Sequence, residues 1–343
     1  MKILIISQVI DTEDSFLGFF HDWVLEFKKY FDKTTVICLK RGTYNLPGVE
    51  VLSLGKESER SRLKYILRLW RYVWSKRKDY DAVLVHMNQE YILFCGLFWK
   101  ILGKKVYMWR NHHSGSIFTD IAAIFCDGIF CTSRYSYTSK YKKTKLMPVG
   151  IDTNLFKRDD SIIKKPSSVL FIGRISPVKK PHILLEALWE LHKKGIDFNT
   201  GFYGDHLPKD EIYYNSLKRK VMEYNLSSKV FFYKGVPNRE TVKIYNQYQI
   251  SVNLSSSGMY DKTIFEAMAC QSLVLVSNEN LRGLIDDLFI LKQDDVSELG
   301  RKLESLFLLE KDEEKRLGLM FRNLVIEKHN LARLGSELAK SIR

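Results

Sequence analysis

The stretch SSVLFIGRISPVKKPHILLEAL, residues 167–188, decides what kind of fold this chain adopts. It opens on a short apolar run that ends at Gly173, and a helix follows from Pro181 to Lys194. Arg174, Lys179 and Lys180 lie between them. Strand, glycine turn and helix form the repeating unit of an open α/β sheet, and such sheets bind ligands beyond the C-terminal ends of their strands. Cations at that place suit a diphosphate, arginine as a planar fork and lysine as a point charge. The plainer alternative is a solvated basic loop.

The same unit recurs on either side. Downstream come FNTGFYG (198–204), a helix near 209–225, KVFFYKG (229–235), QISVNLS (249–255), a helix led by Glu266, and LVLVS (273–277). Upstream, KILII (2–6), TTVICL (34–39), VEVLSL (49–54), DAVLVH (81–86) and KVYMW (105–109) read as strands, and IAAIF and GIFCTS extend the series to about residue 134. The segment 18–30 is an amphipathic helix. Alternation of this kind indicates parallel sheets covered on both faces. Residues 148–167, rich in Pro, Gly and charge, read as a linker between two doubly wound domains, and the tail from Asp312 reads as helical throughout.

The 343 residues suffice for two domains with separate cores. The five cysteines are scattered without CxxC spacing, which argues for reduced core thiols in a cytosolic protein. The opening apolar run is followed at once by DTED, so it reads as a buried strand rather than a leader. The longest apolar stretch, residues 91–102, is too short to span a bilayer. A net charge of +14 leaves three classes of partner: nucleic acid, an anionic membrane surface, or a phosphorylated small molecule.

The loop after the first strand, SQVIDTEDSFLG, has one glycine, Gly18, where a dinucleotide fingerprint needs three. A Walker-type GK[ST] is also missing, so the sequence argues against nicotinamide, flavin and P-loop chemistry. Gly18 alone can still open a helix N-terminus toward a phosphate or sugar, or simply make a turn. The acidic pair of DYD (79–81) precedes a strand, at the wrong end of a sheet for a metal site, and no His/Cys cluster has ligand spacing. No cofactor and no metal are expected.

The order and spacing of VGIDTNLF, GRISPVKKP, FYGDH, FFYKGV and FEAMACQSLVLVS resemble the family 4 retaining glycosyltransferases (glycosyl transferases group 1) from Val149 to Ser277. The N-terminal half is similar only at Gly18, WRNHH and TSRYS. The resemblance implies the α/β GT-B fold, two Rossmann-like doubly wound domains facing across a cleft. Residues 1–150 would take the acceptor, 151–325 the nucleotide sugar, and a helix from 326 to 343 would pack back on the first domain. It implies that Arg174 and Lys179 bind the donor diphosphate, that Glu266 accepts the ribose hydroxyls, and that Val236 packs by the base. His112 would stand near the transferred sugar, with His113 the weaker alternative and Ser133 an interdomain candidate. Retention would proceed by same-face attack, the leaving phosphate helping to deprotonate the acceptor.

Residues 257–271, SGMYDKTIFEAMACQ, depart from the family pattern. Gly258 replaces the first glutamate of E-x7-E, and Asp261 and Lys262 stand where a glycine and an apolar residue are usual. Lost activity is one reading. A rebuilt sugar pocket is the other, formed by Gly258, Met259, Tyr260, Asp261 and Lys262, with Asp261 reaching the sugar hydroxyls. Glu266, placed at a helix N-terminus, would stay ionised against the macrodipole.

Residues 60–78, RSRLKYILRLWRYVWSKRK, carry eight basic residues and no acidic one. Leu63, Ile66, Leu67, Trp70, Val73 and Trp74 follow helical spacing and are expected to pack on the sheet. Arg62, Lys64, Arg68, Arg71 and Lys76 then face anionic lipid headgroups. The expected activity is transfer of a sugar to a lipid-linked or saccharide acceptor by a cytoplasmic protein peripheral to the inner face of the membrane. A non-hydrolysing sugar-nucleotide epimerase and an inactive GT-B scaffold are the alternatives. Nucleic-acid binding is disfavoured, because the aromatics fit a helix stripe better than stacking platforms.

Overall fold

Every strand pairing between described residues is parallel. The uninterrupted apolar runs demand this, since a strand buried on both faces has no polar side to turn toward water. The computed structural model describes residues 1–258 and 260–342. It divides into two units, Met1–Gly150 together with the segment from Leu331 onward, and Ile151–Asn330.

The first unit runs β1 (Lys2–Ile10), α1 (Phe19–Phe27), β2 (Lys33–Arg41), β3 (Val49–Ser53), α2 (Arg62–Ser75), β4 (Ala82–His86), α3 (Glu90–Ile101), β5 (Lys105–Trp109), α4 (Ile117–Phe125), β6 (Gly128–Cys131) and β7 (Thr144–Leu146). The second runs β8 (Lys165–Ile172), α5 (Pro181–Lys193), β9 (Asn199–Tyr203), α6 (Glu211–Glu223), β10 (Val230–Tyr233), α7 (Thr241–Gln247), β11 (Tyr248–Asn253), α8 (Lys262–Ala269), β12 (Leu273–Val276), α9 (Val296–Phe307) and α10 (Lys311–Lys328). The last helix, α11 (Leu331–Ile342), belongs to the first unit. The sheet orders are β3-β2-β1-β4-β5-β6-β7 and β10-β9-β8-β11-β12. Strand order therefore reverses between β1 and β4 in one sheet and between β8 and β11 in the other, the places where doubly wound sheets open a ligand crevice.

Three expectations need correction. IAAIF forms the second half of α4, not a strand, and only GIFC of the next run pairs into the sheet. The tail is two helices, because Asn330 forms a parallel bridge with Ile151, whose N–H donates to the His329 carbonyl (2.9 Å). The third concerns α2. Leu63, Leu67, Trp70 and Trp74 face outward, 68, 52, 50 and 54% exposed, while Leu69 and Val73 fill the sheet side. Polar anchors set this rotation: Arg68 Nη1 donates to the Leu54 carbonyl (2.7 Å), Arg68 and Lys64 pair with Glu59, and Lys76 pairs with Glu50. Three of the five cations assigned to lipid are thus engaged within the unit.

All five cysteines are buried and unpaired, and burial pushes the thiols of Cys38, Cys95 and Cys126 up to about 12. The first unit has a core on each sheet face. One lies under α1 and α11 and contains Trp23, Trp109, Leu334, Leu338 and Ile342; the other lies under α2, α3 and α4. Gly335 lets α11 approach α1, since a Cβ there would sit 2.7 Å from the Tyr30 ring and 2.9 Å from Glu26. Leu334 is fully buried at this contact. Leu334→Ala is expected to cost about 2–5 kcal/mol, read as a lower urea midpoint for the transition of this unit.

Candidate active site

In the second unit the loops after β8 and β9 touch. Gly173 has φ +142° and Gly204 φ +153°, and a Cβ on Gly204 would lie 1.9 Å from the Gly173 carbonyl oxygen. Only glycine permits that approach. The Ile175 N–H donates to the Asp205 carbonyl (3.0 Å), which fixes the path of the loop past exposed Arg174. A short 3₁₀ turn, Pro177–Lys179, then brings Lys179 over the end of β11. Lys180, at φ +53°, caps α5 and pairs with Asp294 (2.7 Å).

Lys179 meets Asp261 there in an ion pair and also donates to Ser255 Oγ (2.9 Å). Asp261 is the N-cap of α8. Its Oδ2 additionally accepts from Asn253 Nδ2 (3.1 Å) and Ser255 Oγ (3.2 Å), and its Oδ1 accepts from Thr263 Oγ1 (3.2 Å). Burial acts to raise the Asp261 carboxyl, but the charge and hydrogen bond of Lys179, with Asn253 and the Thr263 N–H, outweigh it and hold the group well below the usual carboxylate range. Both oxygens are committed, so the expected contact with sugar hydroxyls gives way to a different role. Asp261 is a positioning residue that holds Lys179 and starts α8.

Glu266 is not at a helix N-terminus. The helix begins four residues earlier, at Lys262, and Glu266 lies in its second turn, 2% exposed. Asn238 Nδ2 donates to one carboxylate oxygen (3.0 Å) and the Tyr245 hydroxyl to the other (3.2 Å). Burial raises the Glu266 carboxyl above its ordinary value; Lys262, one turn back on the same face, together with Asn238 and Tyr245, opposes the rise. Tyr245 is fully buried, and burial plus the Glu266 charge push its hydroxyl well up, so it stays a donor. Each carboxylate oxygen keeps a further lone pair for a ligand hydroxyl.

The remaining candidates scatter. Val236 is half-buried in the loop after β10, beside Gly235, whose N–H donates to Asp205 (3.2 Å). Tyr260 donates its hydroxyl to the Asn280 carbonyl (3.1 Å) and packs on Phe265, and Met259 lies outside the described residues. Gly258 is buried at φ +131°, in backbone space that disfavours any side chain. A glutamate at this position would have to take up that backbone, so glycine here shapes the chain path and not only the room in a pocket. In the first unit, Gly18 donates its own N–H to the Asp14 carbonyl (3.0 Å), and a Cβ there would meet that oxygen at 2.6 Å. Turn packing accounts for this glycine, not an open phosphate cradle. His112 is exposed, stacked on His113, with Nδ1 bonded to Ser114 Oγ (2.8 Å). Ser133 is buried and accepts from the Tyr135 N–H (3.2 Å). Asp81 accepts from the Lys2 N–H (2.8 Å) and Asp79 pairs with Lys33 (3.2 Å), so DYD serves the start of the sheet.

Asn253, Ser255 and Thr263 around Asp261, and Asn238 and Tyr245 around Glu266, were not marked by sequence reasoning. Asn253 and Ser255 stood at the polar end of a strand, a usable signal. Tyr245 is indistinguishable from a core aromatic until its hydroxyl is seen on Glu266.

Residues 152–318 match the family described as glycosyl transferases group 1. No curated protein matches the chain. Among solved structures, that of Anabaena Alr3699/HepE in complex with UDP and glucose superposes with a TM-score of 0.81 at 16% identity, covering 100% of this chain and 99% of its own. Sucrose-phosphate synthase from Thermosynechococcus elongatus gives 0.78 at 14%, covering 99 and 98%. The lipopolysaccharide outer core galactosyltransferase WaaB gives 0.68 at 13%, covering 99% of each. Likeness over whole chains at such low identity establishes the fold, which is GT-B.

Asp261→Asn keeps an N-cap oxygen but removes the charge facing Lys179. The variant is expected to be less stable by about 1–3 kcal/mol at neutral pH. Because the folded carboxyl is depressed, its stabilisation is present above the unfolded value of about 4 and is lost as pH falls toward the folded one. The gap between wild type and variant in thermal unfolding should therefore shrink from about pH 4 downward.

Proposed function

From a chain that resembles the group 1 glycosyl transferases, with that pattern across its second unit, we propose a retaining, metal-independent glycosyltransferase. It moves a hexosyl group from a nucleoside diphosphate sugar to a lipid-linked or saccharide acceptor in polysaccharide or glycolipid assembly. The observation that carries the reading is the cluster at the β8/β11 switch point, where Lys179 is held by Asp261 on the helix that also carries Glu266.

Arg174 and Lys179 take the diphosphate. Lys179 has three N–H donors, and Asp261 and Ser255 use two, so one remains for a phosphate oxygen. Glu266 accepts the ribose hydroxyls on its remaining lone pairs, with Asn238 and Tyr245 fixing its plane, and Val236 lies by the base. In the transfer, the bond from the anomeric carbon to the phosphate oxygen breaks while the acceptor oxygen bonds to the same face. The acceptor proton passes to the departing phosphate. Fixed cations stabilise the charge that develops there, a term worth roughly 100- to 1000-fold in rate. Metal independence is proposed from these cations together with the structural use of Asp79 and Asp81. The complexes of Alr3699/HepE with UDP and with UDP-glucose favour a uridine donor. The resemblance assigns His112 a role near the transferred sugar. The basic side of α2, with Arg62 and Arg71 exposed, meets anionic headgroups at the cytoplasmic face.

Arg174→Ala and Glu266→Ala are each expected to lower transfer by roughly 100-fold or more, exposed Arg174→Ala with its thermal midpoint retained and Glu266→Ala with some loss of stability, since it leaves the buried Tyr245 hydroxyl without its acceptor. Turnover like wild type in both variants would refute the assignment, and an epimer formed from donor alone would replace transfer by epimerisation. In a thermal-shift panel of UDP, GDP, ADP and CMP, UDP is expected to stabilise most, about 2.7 kcal/mol at 100 times its Kd.

Glu266 also predicts a pH dependence. Its raised carboxyl loses acceptor capacity on protonation, so UDP-glucose affinity should fall with acidification, starting above the usual glutamate value of about 4.3. Calorimetric titration across pH checks this, with the flat profile expected of Glu266→Gln as control.

A further inference from the structure

Helices α2, α3 and α4 cover one face of the seven-stranded sheet, and Leu69, Val73, Trp99 and Ala122 from their inner sides share a single core. Their outer sides are apolar as well. Of twenty-five exposed large apolar side chains among the described residues, eleven stand on these three helices, from 38 to 75% exposed. A soluble surface scatters such residues singly, and a contiguous set marks an interaction site. This set is contiguous. Trp70 Nε1 donates to the Phe94 carbonyl (3.1 Å), the Trp74 and Phe98 rings lie 5.5 Å apart, and Phe125 packs where a Cβ on Gly96 would be 2.8 Å away.

Chemistry selects the occupant. The Trp70 N–H is satisfied within the fold, so the indole offers mainly its apolar ring, and tryptophan favours the boundary between headgroups and acyl chains. The charge along α2 is basic: no acid occurs from Arg60 to Lys78, Arg60, Arg62, Arg71 and Lys78 are exposed, and Arg77 stacks over the Trp74 ring (4.4 Å), while α3 and α4 add the acids Glu90 and Asp120. A second copy docked on this face about a two-fold axis would bring like-charged rims together, which disfavours it. An anionic bilayer complements both the apolar centre and the rim.

We infer that the outer faces of α2, α3 and α4 form one apolar seat that inserts shallowly into an anionic bilayer. This rests on the proposed membrane contact and replaces its driving force, since burial of apolar area rather than counter-charge does most of the holding.

The test uses the full chain with phosphatidylcholine vesicles, with and without phosphatidylglycerol. Co-sedimentation is read at low salt and near 1 M, where the screening length is about 3 Å. Tryptophan emission is recorded with brominated acyl chains as quencher. The expected result is pelleting with anionic vesicles that largely survives high salt, with a blue shift and quenching of the exposed indoles. A variant carrying L67S, W70S, L97S and I124S, folded by circular dichroism, should lose pelleting at least tenfold. Arg62→Ala with Arg71→Ala should lose only a few-fold.

Pelleting that salt abolishes, without blue shift or quenching, overturns the seat and leaves the basic contact standing. Absence of pelleting under every condition overturns both, and donor binding still reports on transferase function independently. A wild-type dimer by light scattering that the serine variant splits assigns the face to a second copy and overturns the proposal. The quenching measurement needs no variant, so a misfolded mutant leaves the test intact.

Discussion

The ion pair between Lys179 and Asp261 joins the two sides of the second sheet's switch point. Taking both charges out of water is costly, and their attraction alone does not repay it. Asn253, Ser255 and Thr263 supply the remaining hydrogen bonds, so the pair is satisfied as a network. Its consequence is positional. Asp261 caps α8, so the lysine contributed after β8 helps set where α8 starts, and the start of α8 sets which residue of its second turn faces Asn238 and Tyr245. Lys179 and Glu266 are thereby spaced by one rigid element rather than by a free loop.

The glycines of this unit answer to the same constraint. Gly204 lies against the Gly173 carbonyl and leaves no space for a side chain, which keeps the loop after β8 close to β9 and sends it back toward β11. Gly258, at φ +131°, takes a path on which a glutamate would be strained. Asp261, three residues on, caps α8 and pairs with Lys179.

What the sequence made legible follows from what its signals measure. Apolar runs separated by glycine turns report burial on both faces, so the two parallel sheets and nearly all the strands were readable, as was the place of Arg174 and Lys179 just past a strand end. A run such as IAAIF, too short to separate a helix from a strand by period, was not. The start of α8 was misplaced because aspartate caps resemble any loop acid until Lys179 is seen across the sheet. The partners of Glu266 come from α7 and the turn before it, and no local pattern ties Asn238 or Tyr245 to a residue more than twenty positions away.

The reading of α2 fails for a more general reason. A helical stripe of apolar residues states that one face avoids water but not which neighbour covers it. The helix has two apolar surfaces, a narrow one of Leu69 and Val73 and a broad one of Leu63, Leu67, Trp70 and Trp74. The sheet takes the narrow one, because Arg68 and Lys76 tie the polar flank to Leu54 and Glu50 and leave no other rotation. Once α3 and α4 repeat the arrangement beside it, the outward apolar residues no longer belong to any core of the unit. The opposite face of the same sheet makes the contrast: there α11 meets α1 through Gly335, and its stripe of Leu334, Leu338 and Ile342 is buried entirely. One sheet thus carries two helical layers built on the same period, one facing protein and one whose apolar side is turned to whatever lies outside the unit.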